Sequence, residues 1–242
     1  MRKKSFFLKP TLLFVAAGLL LLGSTVGSAR AALSYYSDNY SAKLNLSSIG
    51  VTLLENGKEV SRQNYEDGAV VKTSELLTGL LADGENLTPG KTYENEKISV
   101  QNSGNIDTFV RVILTKSWKN ADGTKNLELS PDLIQLTSGS GWMEDVNAST
   151  QERRIFYYQP VLKAGEATTN VVESLRIDPS ITDEVNVIKE GNTIKYEYKY
   201  DGCTFSLEAE VNAVQTHNAQ AAIKSAWGVD VTVNADETQI GL

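Results

Sequence analysis

Residues 32–242 predict an all-β fold, a two-sheet antiparallel sandwich with two short helices inserted. Three observations carry that prediction. The dominant hydrophobic period is two: over 205–213 the odd positions are Phe205, Leu207, Ala209, Val211 and Ala213, and the even ones are Ser206, Glu208, Glu210 and Asn212. That is a strand with one dry and one wet face. Residues 109–118 are instead apolar on both faces, with Val110, Val112 and Leu114 set against Phe109 and Ile113, as in a central strand covered on both sides. Turn dipeptides such as Asn56-Gly57, Asp122-Gly123 and Asp201-Gly202 punctuate short β-prone runs, the spacing of an antiparallel sandwich.

The elements follow in order. Arg2, Lys3, Lys4 and Lys9 form a positive head, 12–22 is an unbroken apolar run, and small residues lead to Ala29-Arg30-Ala31. This is the layout of a secretory signal peptide over 1–31, with cleavage between Ala31 and Ala32. The 11-residue apolar run falls short of the roughly 20 residues a membrane-spanning helix needs. Residues 32–242 are then a single exported domain. Tyr40, Ala42, Leu44 and Leu46 alternate, and the phase flips at Ser47-Ser48 to Ile49, Val51 and Leu53, as at a bulge or a strand changing sheets. Asn56-Gly57 turns the chain. Further strands are expected over 97–101, 109–118, 154–158, 168–175 and 185–188. Ile194, Tyr196, Tyr198 and Tyr200 alternate with Thr193, Lys195, Glu197 and Lys199. This run is expected to pair with 205–213 in a hairpin closed by Asp201-Gly202. Two helices are expected. One covers 74–81, with Leu76, Leu77, Leu80 and Leu81 on a stripe. The other covers 219–227, with Asn218 as N-cap and Gly228 as the C′ residue.

Charge narrows the function classes. Residues 1–31 hold five of the 23 basic residues and none of the 30 acidic ones, leaving 18 bases against 30 acids, a net −12, in 32–242. So acidic a chain repels phosphate backbones and anionic lipid, so neither nucleic acid nor bare membrane is an expected partner. One cysteine, Cys203, supplies no internal disulfide framework. No second apolar span and no sorting signal of the LPxTG type follows, so release, or retention by something other than the chain's own tail, is expected.

Candidate chemistry is sparse. The single histidine, His217, cannot supply the paired imidazoles of a zinc protease, and no G-x-S-x-G elbow presents a serine to it. It reads as a residue at the mouth of the second helix. Cys203 with His217 is formally a thiol–imidazole pair, but no helix N-terminus activates the thiol. Glu208 and Glu210 fall on a wet face, Asp183-Glu184 is a lone acidic pair, and 120–124 reads as a turn lacking the glutamate of a calcium loop. No catalytic, cofactor or metal residue is assigned, and no enzymatic activity is expected.

Residues 29–37 (ARAALSYYS), 102–112 (NSGNIDTFVRV) and 215–229 (QTHNAQAAIKSAWGV) resemble the TasA/camelysin family of exported biofilm-matrix proteins, and within it the alternate signal-mediated exported proteins that include BsaA-like biofilm pilins. The resemblance implies a jelly-roll-like fold, processing by a SipW-type signal peptidase, and polymerisation into extracellular fibres of the chain itself or related matrix subunits. In such fibres the freed N-terminal segment of one subunit completes a sheet of the next. Here that segment is 32–40, uncharged apart from Asp38, with Leu33 and Tyr35 pointing one way, Tyr36 the other, and Tyr40 at its end. The histidines for the peptidase activity ascribed to camelysin relatives are missing. The other function class is a monomeric secreted adhesion or ligand-binding β-sandwich. There Trp142, in the loop 137–142, either stacks on a sugar or anchors the loop to the core.

Overall fold

The structure, a computed structural model, describes residues 48–65, 68–81, 85 and 87–242. The cleavage residues Ala29, Ala31 and Ala32, the segment residues Leu33, Tyr35, Tyr36 and Tyr40, and the alternating run 40–46 all lie outside the described residues. The described chain is all-β with a single α-helix. Its strands are β1 (Gly50–Glu55), β2 (Lys58–Asn64), β3 (Val70–Lys72), β4 (Thr92–Tyr93), β5 (Ile98–Asn102), β6 (Thr108–Lys119), β7 (Ile134–Thr137) and β8 (Trp142–Glu144). Then come β9 (Arg153–Leu162), β10 (Ser174–Ile177), β11 (Val185–Glu190), β12 (Thr193–Tyr198), β13 (Thr204–Gln215), β14 (Thr232–Val233) and β15 (Ile240–Gly241). The helix α1 spans Ala219–Trp227.

Two antiparallel four-stranded sheets form the sandwich, in the orders β3-β2-β1-β5 and β13-β6-β9-β8. Val51, Leu53, Ile98 and Val100 from the first sheet meet Val110, Val112, Leu114, Phe156, Leu207 and Val211 from the second. Each such side chain, fully withdrawn from water, contributes about 2 kcal/mol. Strand β6 is covered on its other face too: Phe109 and Ile113, with Ile155 and Tyr157 of β9, pack beneath Ala219 and Ile223 of α1. The two-faced apolar pattern of 109–118 is therefore the signature of a strand buried between the opposite sheet and a helix. A third cluster, built on Trp118, Ile134, Leu175 and Ile177, includes residues of the three-stranded sheet β4-β10-β7.

Several expectations hold in detail. Asn56-Gly57 joins β1 to β2 with both residues at positive φ (51° and 76°). Helix α1 has the predicted bounds, and Gly228, at φ 72°, donates its N–H to the Lys224 carbonyl. Asn218, however, lies in the left-handed region and makes no side-chain capping bond, so the predicted N-cap is corrected. Over the expected strand 168–175 a single isolated bridge to β5, Val172 to Ile98, forms before β10 starts at Ser174.

Two larger corrections follow. Residues 74–81 are turns, not a helix. Leu77 sits at φ 63°, which breaks a helical run, and its N–H is taken by the Glu55 carboxylate at 2.6 Å. The leucines still go inward: Leu80 is buried, and Leu76 and Leu77 pack on the sandwich core. The second correction concerns the hairpin. β12 pairs with β11, turning at Gly191-Asn192, while β13 pairs with β6 along its whole length. Asp201-Gly202 is a turn, with Gly202 at φ 72°, but it joins strands of different sheets.

Candidate functional site: the open edge of β13

Strand β13 ends its sheet, with β6 on one side and no strand on the other among the described residues. The Ala213 N–H donates to the Tyr65 hydroxyl at 2.9 Å, so it points away from β6. Alternation then turns the N–H and C=O groups of Phe205, Leu207, Ala209 and Val211 outward as well. No backbone bond to these outward groups is found among the described residues. Tyr65 closes one end of the edge, and burial holds its phenol above the ordinary pKa despite the Ala213 bond.

Beside this edge runs a groove of about 800 Å³. Leu53, Val60, Leu76, Leu77, Leu80 and Leu87 supply its apolar lining. Val70 and Lys72 of β3 border it from the first sheet, and residues 203–209 border it from the second. The sandwich is thus unzipped on one side, between the terminal strands of its two sheets.

The wall built by 74–81 is fixed by buried polar groups. Glu55 is 8 % exposed and Glu96 5 %. Glu55 accepts from Leu77, while Glu96 accepts from the Asn56 amide at 2.7 Å. The Asn95 amide donates to the carbonyls of Gly79 and Leu80. A Cβ at Gly79 would lie 2.4 Å from a Glu96 oxygen, so a larger residue there requires the Glu96 carboxylate to move. Burial, reinforced by the Glu96 charge, raises the Glu55 pKa, against the opposing Leu77 N–H bond.

The residues singled out in the sequence are scattered. Cys203 lines the groove at the start of β13, whereas His217 follows its end, on the surface. Twelve strand residues at about 3.4 Å each separate them, so they form no thiol–imidazole pair. Glu208 and Glu210 are exposed, as expected of a wet face. Asp183 and Glu184 lie at the end of a short 3-10 turn. In 120–124 the Asp122 carboxylate accepts from the Thr124 N–H and hydroxyl, closing a turn. Trp142 is 9 % exposed, and its indole donates to the Thr169 carbonyl at 2.9 Å. It is an anchor, not a stacking platform, which removes the sugar-binding role considered for the loop 137–142.

Sequence reasoning missed a polar island in the core. Lys116 is 3 % exposed and in phase with Val112 and Leu114 on the inward face of β6. Its ammonium donates to the Ile134 carbonyl at 2.6 Å. Nearby, Glu144 and Arg154 form a bidentate pair. Burial, and secondarily the Arg154 charge, lower the Lys116 pKa, with Asp132 and Glu144 opposing. A lysine in register with a run of core valines and leucines was the available signal. Comparison of the chain with family models, with curated proteins and with solved structures finds no match.

Proposed function

We propose that this protein is an exported structural subunit of a Gram-positive biofilm or cell-surface matrix, of the TasA/camelysin kind, that polymerises by strand donation. In this reading a SipW-type signal peptidase cuts between Ala31 and Ala32, and residues 32–40 of one copy add to β13 of the next. The observation that supports it is the outer edge of β13, unpaired among the described residues, beside an apolar groove. An added strand finds backbone partners at Phe205, Leu207, Ala209 and Val211, and the groove takes alternate side chains of the donor. Leu33 and Tyr35 are one such set and Tyr36 and Tyr40 the other. Each large side chain buried there contributes about 2 kcal/mol, in addition to the new ladder bonds. The contact is head-to-tail and does not close, and such contacts build filaments.

The test compares the chain starting at Ala32 with one lacking 32–40, by size exclusion and negative-stain microscopy. Fibres are expected from the first alone. Cys203, the chain's one cysteine, lines the groove, so its alkylation is expected to slow as fibres form. Monomers from both chains, with unchanged thiol reactivity, overturn the reading.

A further inference from the structure

The β11–β12 ribbon is unlike the rest of the fold. Among the described residues its two strands pair only with each other, and it forms a sheet of its own. The register sets Val185 opposite Tyr198, Val187 opposite Tyr196 and Lys189 opposite Ile194. Opposed residues share a face, so Val185, Val187, Ile194, Tyr196 and Tyr198 make one apolar surface. That surface lies in solvent: Val187 is 52 % exposed, Ile194 52 %, Tyr196 60 % and Tyr198 43 %. Apart from a ring contact between Tyr198 and Tyr200, no core cluster of the described residues covers that face, and a two-stranded ribbon so little covered is marginally stable in water.

We infer that β12 is a self-association edge, pairing antiparallel with β12 of a second copy about a two-fold axis at Tyr196. The backbone is oriented for it. The Lys199 N–H donates inward to the Glu184 carbonyl at 2.9 Å, so alternation turns the N–H and C=O groups of Ile194 and Tyr196 and the N–H of Tyr198 to the outer edge, while the Tyr198 carbonyl accepts from the Asp201 N–H at 3.1 Å. Centred on Tyr196, the pairing sets Tyr196 against Tyr196 and Ile194 against Tyr198 of the second copy. Tyr196–Tyr196 is a doubly hydrogen-bonded pair, and at Ile194–Tyr198 the Tyr198 N–H donates to the Ile194 carbonyl.

Charge selects this register. On the opposite face Lys195 meets Glu197 of the second copy, and Glu197 meets its Lys195. Within one copy these two side chains already pair across the strand surface, so the dimer adds a second opposite charge to each. An exposed lysine ordinarily guards a strand edge against pairing; with Glu197 two residues away, the edge complements itself. The outer edge of β11 does not. Centring on Val187 there opposes Val185 to Lys189 and Asn186 to Ile188, with no charge matched. The apolar faces of the two ribbons become continuous in a four-stranded sheet, with aromatic cross-strand pairs at its centre. The contact uses a different sheet edge from β13 and does not depend on strand addition there.

Disulfide trapping tests it. In the chain starting at Ala32, carrying Cys203→Ser, Tyr196→Cys places two thiols at the axis, at the Cα spacing a disulfide accepts. Mild oxidation is expected to give covalent dimers, whereas Val187→Cys, also well exposed but on the other strand, gives few. Adding Glu197→Lys or Lys195→Glu singly sets like charges against each other and is expected to lower the trapped yield about tenfold. Mixing those two chains, one bearing a size tag, restores the yield as heterodimer. Equal trapping at Val187 and Tyr196, no effect of single charge reversal, or no rescue on mixing overturns the inference. The readout sits on β12, so it is independent of whether fibres form through β13.

Discussion

Strands β12 and β13 are neighbours in the chain, joined by the short turn segment 199–203, and both alternate apolar and polar residues. Their fates are opposite. Leu207 and Val211 of β13 are buried against the facing sheet, while Ile194, Tyr196 and Tyr198 of β12 stand in water. Alternation reports that a strand has an apolar face; it does not report what covers that face. In β13 the cover includes β1 of the opposite sheet. In β12 nothing among the described residues supplies it, and the apolar face becomes a candidate contact between molecules. The edges differ likewise: among the described residues both are unpaired, that of β13 beside a groove and that of β12 with a charge pattern that would complement a second copy.

The comparison is sharpest in side-chain deletions. Leu207→Ala is expected to destabilise the chain by about 3 kcal/mol in denaturant unfolding. Tyr196→Ala in the monomer stays within about 0.5 kcal/mol. Similar losses from the two would erase the distinction.

Proline substitution along β13 separates folding from assembly. The Glu208 backbone faces Thr115 of β6, so Glu208→Pro removes a ladder bond and destabilises by about 2 kcal/mol. The Ala209 N–H faces outward, so Ala209→Pro leaves the ladder intact and is expected to block fibre growth at near-native stability. Fibres of normal length from Ala209→Pro would show that the outer edge of β13 is not used.

Buried ionisable groups make the sandwich, unlike the ribbon, respond to pH through its interior. The folded-state pKa of Lys116 is lowered. Its burial therefore destabilises fully below the folded pKa, less as pH rises from the folded pKa toward the ordinary lysine value, and not at all above it. The stability of Lys116→Met relative to the parent is expected to fall over that alkaline window, in paired thermal unfolding curves. Glu55 behaves in the opposite sense. Its folded pKa is raised, so the stabilisation from protonation is complete below the ordinary glutamate value and is lost as pH rises through the folded pKa. Glu55→Gln keeps an acceptor for Leu77 and is expected to remove this mildly acid-favoured component. Parallel pH curves for variant and parent would place the Glu55 charge outside the leucine turn's energetics.

The sequence by itself determined the all-β class, the double coverage of β6, the Asn56-Gly57 turn and the bounds of α1. Each depends on neighbours within a few residues: strict alternation, a two-residue positive-φ turn, a short apolar stripe ended by glycine. It also showed the alternation of β12 and β13, but paired them wrongly, because a turn dipeptide specifies a reversal and not the sheet that receives each strand. The leucines of 74–81 carried a helical stripe in their spacing. A carboxylate 22 residues away took the Leu77 N–H and decided for a turn. Only the tertiary structure decided that Trp142 is sealed, that Lys116 is buried, and that the terminal strands of both sheets border one groove. The physical reason is that burial and hydrogen-bond partnership are set by which elements meet across the sandwich, through bonds and contacts tens of residues apart in the chain.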